Sequence, residues 1–136
     1  SYEGEMKKRG RRTGNIMGNR GRWLSRYFVL LGNVLYEFYD KKAFEAVLKE
    51  NNGMLDLKKN KNLKSIPLSG YEILVDAVNT ENPCLILSPL DEDAELLSRY
   101  YRVDTATFRE WARHLVSASL TSQGDDKAGD ESFLLL

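Results

Sequence analysis

The run Gly21-Arg22-Trp23-Leu24-Ser25-Arg26-Tyr27-Phe28-Val29-Leu30-Leu31 constrains this chain more than any other stretch. Its aromatic and β-branched centre suits a pleated, half-buried strand. Strand alternation sets Arg26, Phe28 and Leu30 on one face, so an apolar row ends in a cation at the open end. Gly32-Asn33 follows as a two-residue turn that asks for positive φ, then the aromatic run Val34 to Tyr39. The pair reads as a β-hairpin that carries a Gly- and Arg-rich loop, Gly10 to Gly21, at the rim of a small barrel.

The rest of the chain reads as further short strands and one strong helix. Tyr2 to Arg9, Met54 to Leu57, Tyr71 to Val78, Pro83 to Ser88 and Arg99 to Val103 are expected strands, and the two hairpin runs bring the total to about seven. Between them, Ala43, Phe44, Val47 and Leu48 have helical spacing, so Asp40 to Glu50 is a short helix or helical turn. Lys58 to Lys64 is expected to be a basic loop. Phe108, Trp111, Ala112 and Leu115 recur at i, i+3, i+4 and i+7, the apolar stripe of a helix that starts near Asp104 or Thr105. A small sheet closed on itself has two open ends, and such a helix can plug one of them. With 136 residues the chain is expected to hold one domain, residues 2–120. Residues 121–136 form an acidic tail, expected to be disordered through Ser132 and to end in the apolar Phe133-Leu134-Leu135-Leu136.

Charge is balanced overall, 20 basic against 20 acidic residues, but it is segregated. Residues 1–26 hold eight basic residues (Lys7, Lys8, Arg9, Arg11, Arg12, Arg20, Arg22, Arg26) and two acidic ones, so this edge attracts anions. Ile16-Met17 sits between the cationic flanks of the loop, where apolar side chains either gain from an acyl boundary or fold back onto the barrel. Cys84 is the only cysteine, which excludes an internal disulfide and suits a reducing, intracellular compartment. No set of nucleophile, base and orienting residue can be assembled, so no enzymatic activity and no cofactor are expected. His114 has no ligand set around it, and a metal site is not expected. Gly14-x-x-x-Gly18-x-x-Gly21 lacks the Gly-Lys-Ser/Thr ending of a phosphate loop and precedes a strand. Asp91-x-Asp93-x-Glu95 continues with Leu96 and Arg102 where a calcium loop needs Gly and Glu. The aromatics read as core-facing, which argues against nucleic acid.

Taken in order, Gly4-x-Met6-x-Lys8-x-Gly10, Trp23-x-x-Arg26-Tyr27-Phe28-Val29-Leu30, Leu35-Tyr36, Gly53-x-Leu55-x-Leu57, Tyr100-Tyr101-Arg102-Val103-Asp104 and Phe108-x-x-Trp111-Ala112-x-x-Leu115 resemble a pleckstrin-homology (PH) domain from Gly4 to about Leu120. The resemblance implies a mainly β fold, a seven-stranded bent antiparallel barrel capped by one C-terminal α-helix. It also implies binding of phospholipid headgroups at the open end, or of proteins. In phosphoinositide-binding members a lysine late in the first strand and a basic-x-Arg triplet in the second contact the headgroup. Lys8 and Arg26 match, Leu24 replaces the first basic position, and Glu37 stands where some members have a phosphate-contacting tyrosine.

Two of four contacts are therefore missing, which favours a lone phosphomonoester over a ring with several phosphates. That points to phosphatidic acid, with Lys8, Arg26 and Arg20 or Arg22 clamping the phosphate and Ile16-Met17 inserting. A narrower resemblance, to the acylated PH proteins of apicomplexan parasites, implies a phosphatidic-acid sensor of regulated secretion; its acylation motif would lie upstream of Ser1. The expected partner is an anionic membrane, bound peripherally on its cytosolic face by a monomer. The alternatives are a protein-interaction adaptor on the same scaffold and a phosphoinositide-binding PH domain.

Overall fold

The computed structural model describes residues 1–10, 22–56, 63–91, 97–124 and 133–135. Nine strands, two helices and one short three-ten turn (Leu68–Gly70) make up these residues. The strands are β1 (Tyr2–Arg9), β2 (Trp23–Leu31), β3 (Val34–Phe38), β4 (Met54–Asp56), β5 (Lys64–Pro67), β6 (Tyr71–Asp76), β7 (Cys84–Pro89), β8 (Arg99–Arg102) and β9 (Phe133–Leu135). The helices are α1 (Lys41–Glu50) and α2 (Thr105–Gly124). Seven strands form one antiparallel sheet in the order β5-β3-β2-β1-β8-β7-β6.

The hairpin forms as its turn chemistry dictates. Gly32 takes φ 58°, the left-handed conformation that a glycine at the first central position of a two-residue turn supplies. This fixes Leu31 opposite Val34 and Leu30 opposite Leu35. Met6, Phe28, Leu35, Ile66, Tyr71, Leu85 and Tyr101, one from each of the seven sheet strands, belong to a single buried cluster with Trp111 and Leu115 of α2. One cluster can collect side chains from every strand only if the sheet wraps around it. Trp111 is fully buried beneath β1. A Cβ at Gly4 would lie 3.4 Å from its Nε1, so the absence of a side chain there lets the strand close onto the indole. Tyr2 meets the same indole edge-on at 4.8 Å.

Several elements differ from the sequence expectation. The fourth strand of the sheet is Lys64–Pro67, not Met54–Asp56. Pro67 ends it opposite Val34, where β5 is an outer strand of the sheet and a missing N–H is tolerated. Met54–Asp56 pairs instead with Phe133–Leu135 in a separate two-stranded sheet. Phe133–Leu135 therefore has a strand partner, and α2 continues to Gly124, past the expected start of the tail at Thr121.

A second core lies on the other face of the hairpin. Val29, Leu31, Tyr36 and Phe38 are buried there against Phe44 of α1 and Leu55 of β4. Asp40 starts α1 by accepting the Ala43 N–H at 2.8 Å, a capping geometry for a short acidic side chain. Asn52 and Gly53, at φ 54° and 81°, end it.

Candidate functional site

Register decides which cations share a face. Lys8 lies opposite Leu24 and Met6 opposite Arg26, so alternation sets Lys8, Arg26 and Leu24 on the core-side face at one end of the β1–β2 hairpin. Glu37 lies opposite Phe28 on the same face, and Lys64 lies opposite Glu37. The two residues expected to clamp a phosphate are thus diagonal neighbours at one mouth of the sheet, with their charged ends turned to different partners.

Lys8 reaches across β2 and donates from Nζ to Glu37 Oε2 at 2.7 Å. The Glu37 side chain is only 10% exposed, and Lys8 is 22% exposed. A carboxylate so far removed from water needs this cation, and Lys64 Nζ at 3.9 Å adds a second. Arg26 donates from Nη1 to the Ser25 carbonyl at 2.8 Å and lies over the exposed Tyr39 ring at 4.9 Å. The mouth therefore carries Lys8 and Lys64 beside one carboxylate, with Arg26 on the same face.

The opposite face of the same strand end holds a second set of cations. Lys7 lies opposite Ser25 on one side and Arg102 on the other, and Arg9 lies opposite Trp23. Arg102 covers the Trp23 indole at 4.2 Å, and Arg9 covers the Tyr100 ring at 5.7 Å. These cation–π contacts place guanidinium groups over aromatic faces while leaving N–H groups able to donate. The basic character of this end therefore extends over both faces of the sheet. Arg22 is exposed, and its carbonyl accepts the Gly10 N–H at 2.6 Å, which ties the two strand ends together where the loop departs. Arg11, Arg12, Arg20, Ile16 and Met17 lie outside the described residues.

Sequence reasoning missed Lys64, Arg102, Trp23, Tyr39 and Tyr100 as parts of this surface. Arg102 could have been found, because Tyr101 reads as inward and alternation then turns Arg102 outward. Lys64 could not, since its stretch reads as a loop.

Among the described residues no group of three or more His, Cys, Asp or Glu side chains could hold a metal ion. Cys84 is half-buried beside Arg102 in the sheet, and burial is the main cause raising its thiol above the ordinary range. His114 stacks on Tyr2 at 4.5 Å, with Nε2 3.7 Å from Glu110. No described helix is long and apolar enough to cross a membrane.

The model of the PH domain family matches residues 1–119. Solved structures with the same fold include the PH domain of human oxysterol-binding protein-related protein 11, at 16% identity over 96% of this chain and 91% of that one, with a TM-score of 0.54. The PH domain of human KIAA0053 protein is 21% identical over 88% and 87% of the two chains, with a TM-score of 0.51. A chain in the crystal structure of SifA and SKIP is 14% identical over 88% and 98%, with a TM-score of 0.50. Among curated proteins none matches the chain.

Proposed function

The chain belongs to the PH domain family, and from that premise we propose that it is a membrane-recruitment module for anionic phospholipid, engaged through the cationic end of β1, β2 and β8. The observation that carries this is the gathering of Lys7, Arg9 and Arg102 on one face of that end and Lys8, Arg26 and Lys64 on the other. Each cation near an anionic bilayer contributes roughly 1 kcal/mol, so several on one end outweigh the neutral whole. The basic end steers the domain to the bilayer, and Arg26 with the loop residues Arg11, Arg12, Arg20 and Arg22 engages a phosphate. Lys8 joins them by leaving Glu37, and Ile16-Met17 enters the acyl boundary.

Phosphatidic acid is the preferred headgroup in this reading. Leu24 offers no charge, and Glu37 occupies Lys8 at 2.7 Å, so too few free donors remain for an inositol ring with several phosphates. A single phosphomonoester needs two or three. A peripheral position on a cytosolic leaflet and a role in regulated secretion follow from the narrower resemblance to acylated PH proteins. Co-sedimentation with vesicles of phosphatidic acid, phosphatidylserine or a phosphoinositide, matched in total charge, tests the preference. Tighter binding to phosphatidic acid that Arg26→Ala weakens supports it; equal binding to all three removes headgroup selection. A protein-interaction adaptor is the second reading. The Lys8–Glu37 pair favours it, because it satisfies the lysine without any ligand.

A further inference from the structure

We propose that the open edge of β1 is a docking site for an extended, cationic peptide segment of a partner protein, with basic residues at alternate positions and an apolar residue between them. This is a second binding surface, which adjoins the cationic end of the sheet at Lys7 and Arg102.

The topology creates the edge. β1 pairs with β2 along its whole length, Tyr2 to Arg9, but with β8 only at Lys7 and Lys8. β8 ends at Arg102, and the chain turns at Asp104 into α2. From Tyr2 to Met6 the second edge of β1 therefore has no strand partner among the described residues. A groove of about 440 Å³ runs along this stretch, with the β1 backbone as one wall and Trp111 among its lining. The far wall is built from Glu81, Asn82, Val103, Asp104 and Thr107. That wall is pinned. Asn79 Oδ1 accepts the Glu81 and Asn82 N–H groups at 3.1 and 3.3 Å, and the Val103 N–H donates to the Pro83 carbonyl at 3.1 Å.

An unpaired strand edge recruits another strand through main-chain hydrogen bonds, while side chains at alternate positions select its sequence. Here the selection is electrostatic. Glu3, Glu5, Glu81 and Asp104 line the groove, against Lys7 and Arg102 at its β8 end. Glu3 and Glu5 are exposed, and each accepts a hydroxyl from β2, Tyr27 to Glu3 and Ser25 to Glu5, so both carboxylates sit on the outer face beside β2 while also lining the groove. A strand laid beside β1 brings two alternate residues opposite Glu3 and Glu5, where opposite charges across a strand pair are favourable. The residue between them falls opposite Gly4, on the face beneath which Trp111 is packed. The sequence so selected is basic–apolar–basic.

The test uses the full chain labelled with ¹⁵N and three probes: acetyl-Lys-Val-Lys-Val-Lys-amide, the same peptide with Glu for Lys, and the Lys peptide N-methylated at alternate backbone nitrogens. The lysine peptide is expected to shift the Tyr2 to Met6 amides and the Trp111 indole and to slow exchange at that edge. The glutamate and N-methylated peptides should bind about tenfold more weakly or not at all. Glu81→Lys, a loop change that spares the sheet, should weaken the lysine peptide roughly threefold to fivefold while leaving vesicle binding intact. Equal binding of the N-methylated peptide would overturn the proposal. So would shifts centred on Arg9, Arg22 and Arg26, or no change at Tyr2 to Met6 with any probe. Self-association of the free chain through Tyr2 to Met6 would assign the edge to a second copy and reject the peptide.

Discussion

Glu37 holds Lys8 at 2.7 Å on the core-side face, and in the proposed lipid reading this contact governs how the mouth answers an anion. A phosphate that recruits Lys8 must compete with a carboxylate that is 10% exposed and would be left to Lys64 alone. Glu37→Gln removes the competitor and keeps the shape. Binding to phosphatidic-acid vesicles is expected to tighten by roughly threefold to tenfold, about what one freed cation near a bilayer contributes. Thermal stability should fall at the same time, since a partly buried lysine loses its counter-charge. Unchanged vesicle binding would mean that Lys8 takes no part. Much of this residue-level picture was legible beforehand: the parity of Lys8, Arg26 and Glu37 follows from strand alternation. The pairing itself was not, because it depends on register across two strand interfaces, Lys8 against Leu24 and Phe28 against Glu37.

At the scale of elements, the hairpin and the C-terminal helix were legible because their patterns are long and one-sided. The outer layer was not. Val29-Leu30-Leu31 and Tyr36 with Phe38 bury apolar side chains on both faces of the hairpin, and only a covering element explains the second face. That element is α1, with Phe44 buried against Phe38 at a centroid distance of 5.0 Å and stacked near Tyr27 at 5.6 Å. Phe44→Ala should cost about 3–5 kcal/mol in denaturant unfolding, from lost contacts and the cavity left behind. Asp40→Ala should cost about 1 kcal/mol through loss of the helix cap. Neither should change vesicle binding below the melting transition; a large drop there would tie α1 to the lipid site. The fourth sheet strand was misread for a related reason. Lys64-Ser65-Ile66-Pro67 has one buried apolar residue and follows a basic run, so its pattern alone is that of a loop. Its place beside β3 is a tertiary outcome.

Two consequences belong to the molecule as a whole. The first concerns alkaline pH. Burial raises the phenol pKa of Tyr36 and Tyr101, and burial, with a hydrogen bond to Glu3, does the same for Tyr27. A folded pKa above the unfolded one stabilises the fold fully below about pH 10, and that stability drains away as pH climbs toward the folded values. Urea midpoints should therefore drop between about pH 10 and 12, and Tyr36→Phe with Tyr101→Phe should flatten that slope; an equally steep fall in the double variant would trace it to other groups. The second concerns salt. The chain has no net charge, so evenly mixed charges would make its membrane affinity indifferent to ionic strength. Instead Lys7, Arg9, Arg26 and Arg102 crowd one end, and Glu3, Glu5, Glu81 and Asp104 line the groove that adjoins it. The cations nearest a docked bilayer are the ones whose attraction is cut back as the Debye length shrinks from about 10 Å at 0.1 M to 3 Å at 1 M. Raising NaCl from about 0.05 to 0.5 M should then weaken binding to phosphatidic-acid vesicles by about tenfold or more, as read by co-sedimentation. Binding that survives the salt would shift the weight from the cations to the apolar pair Ile16-Met17.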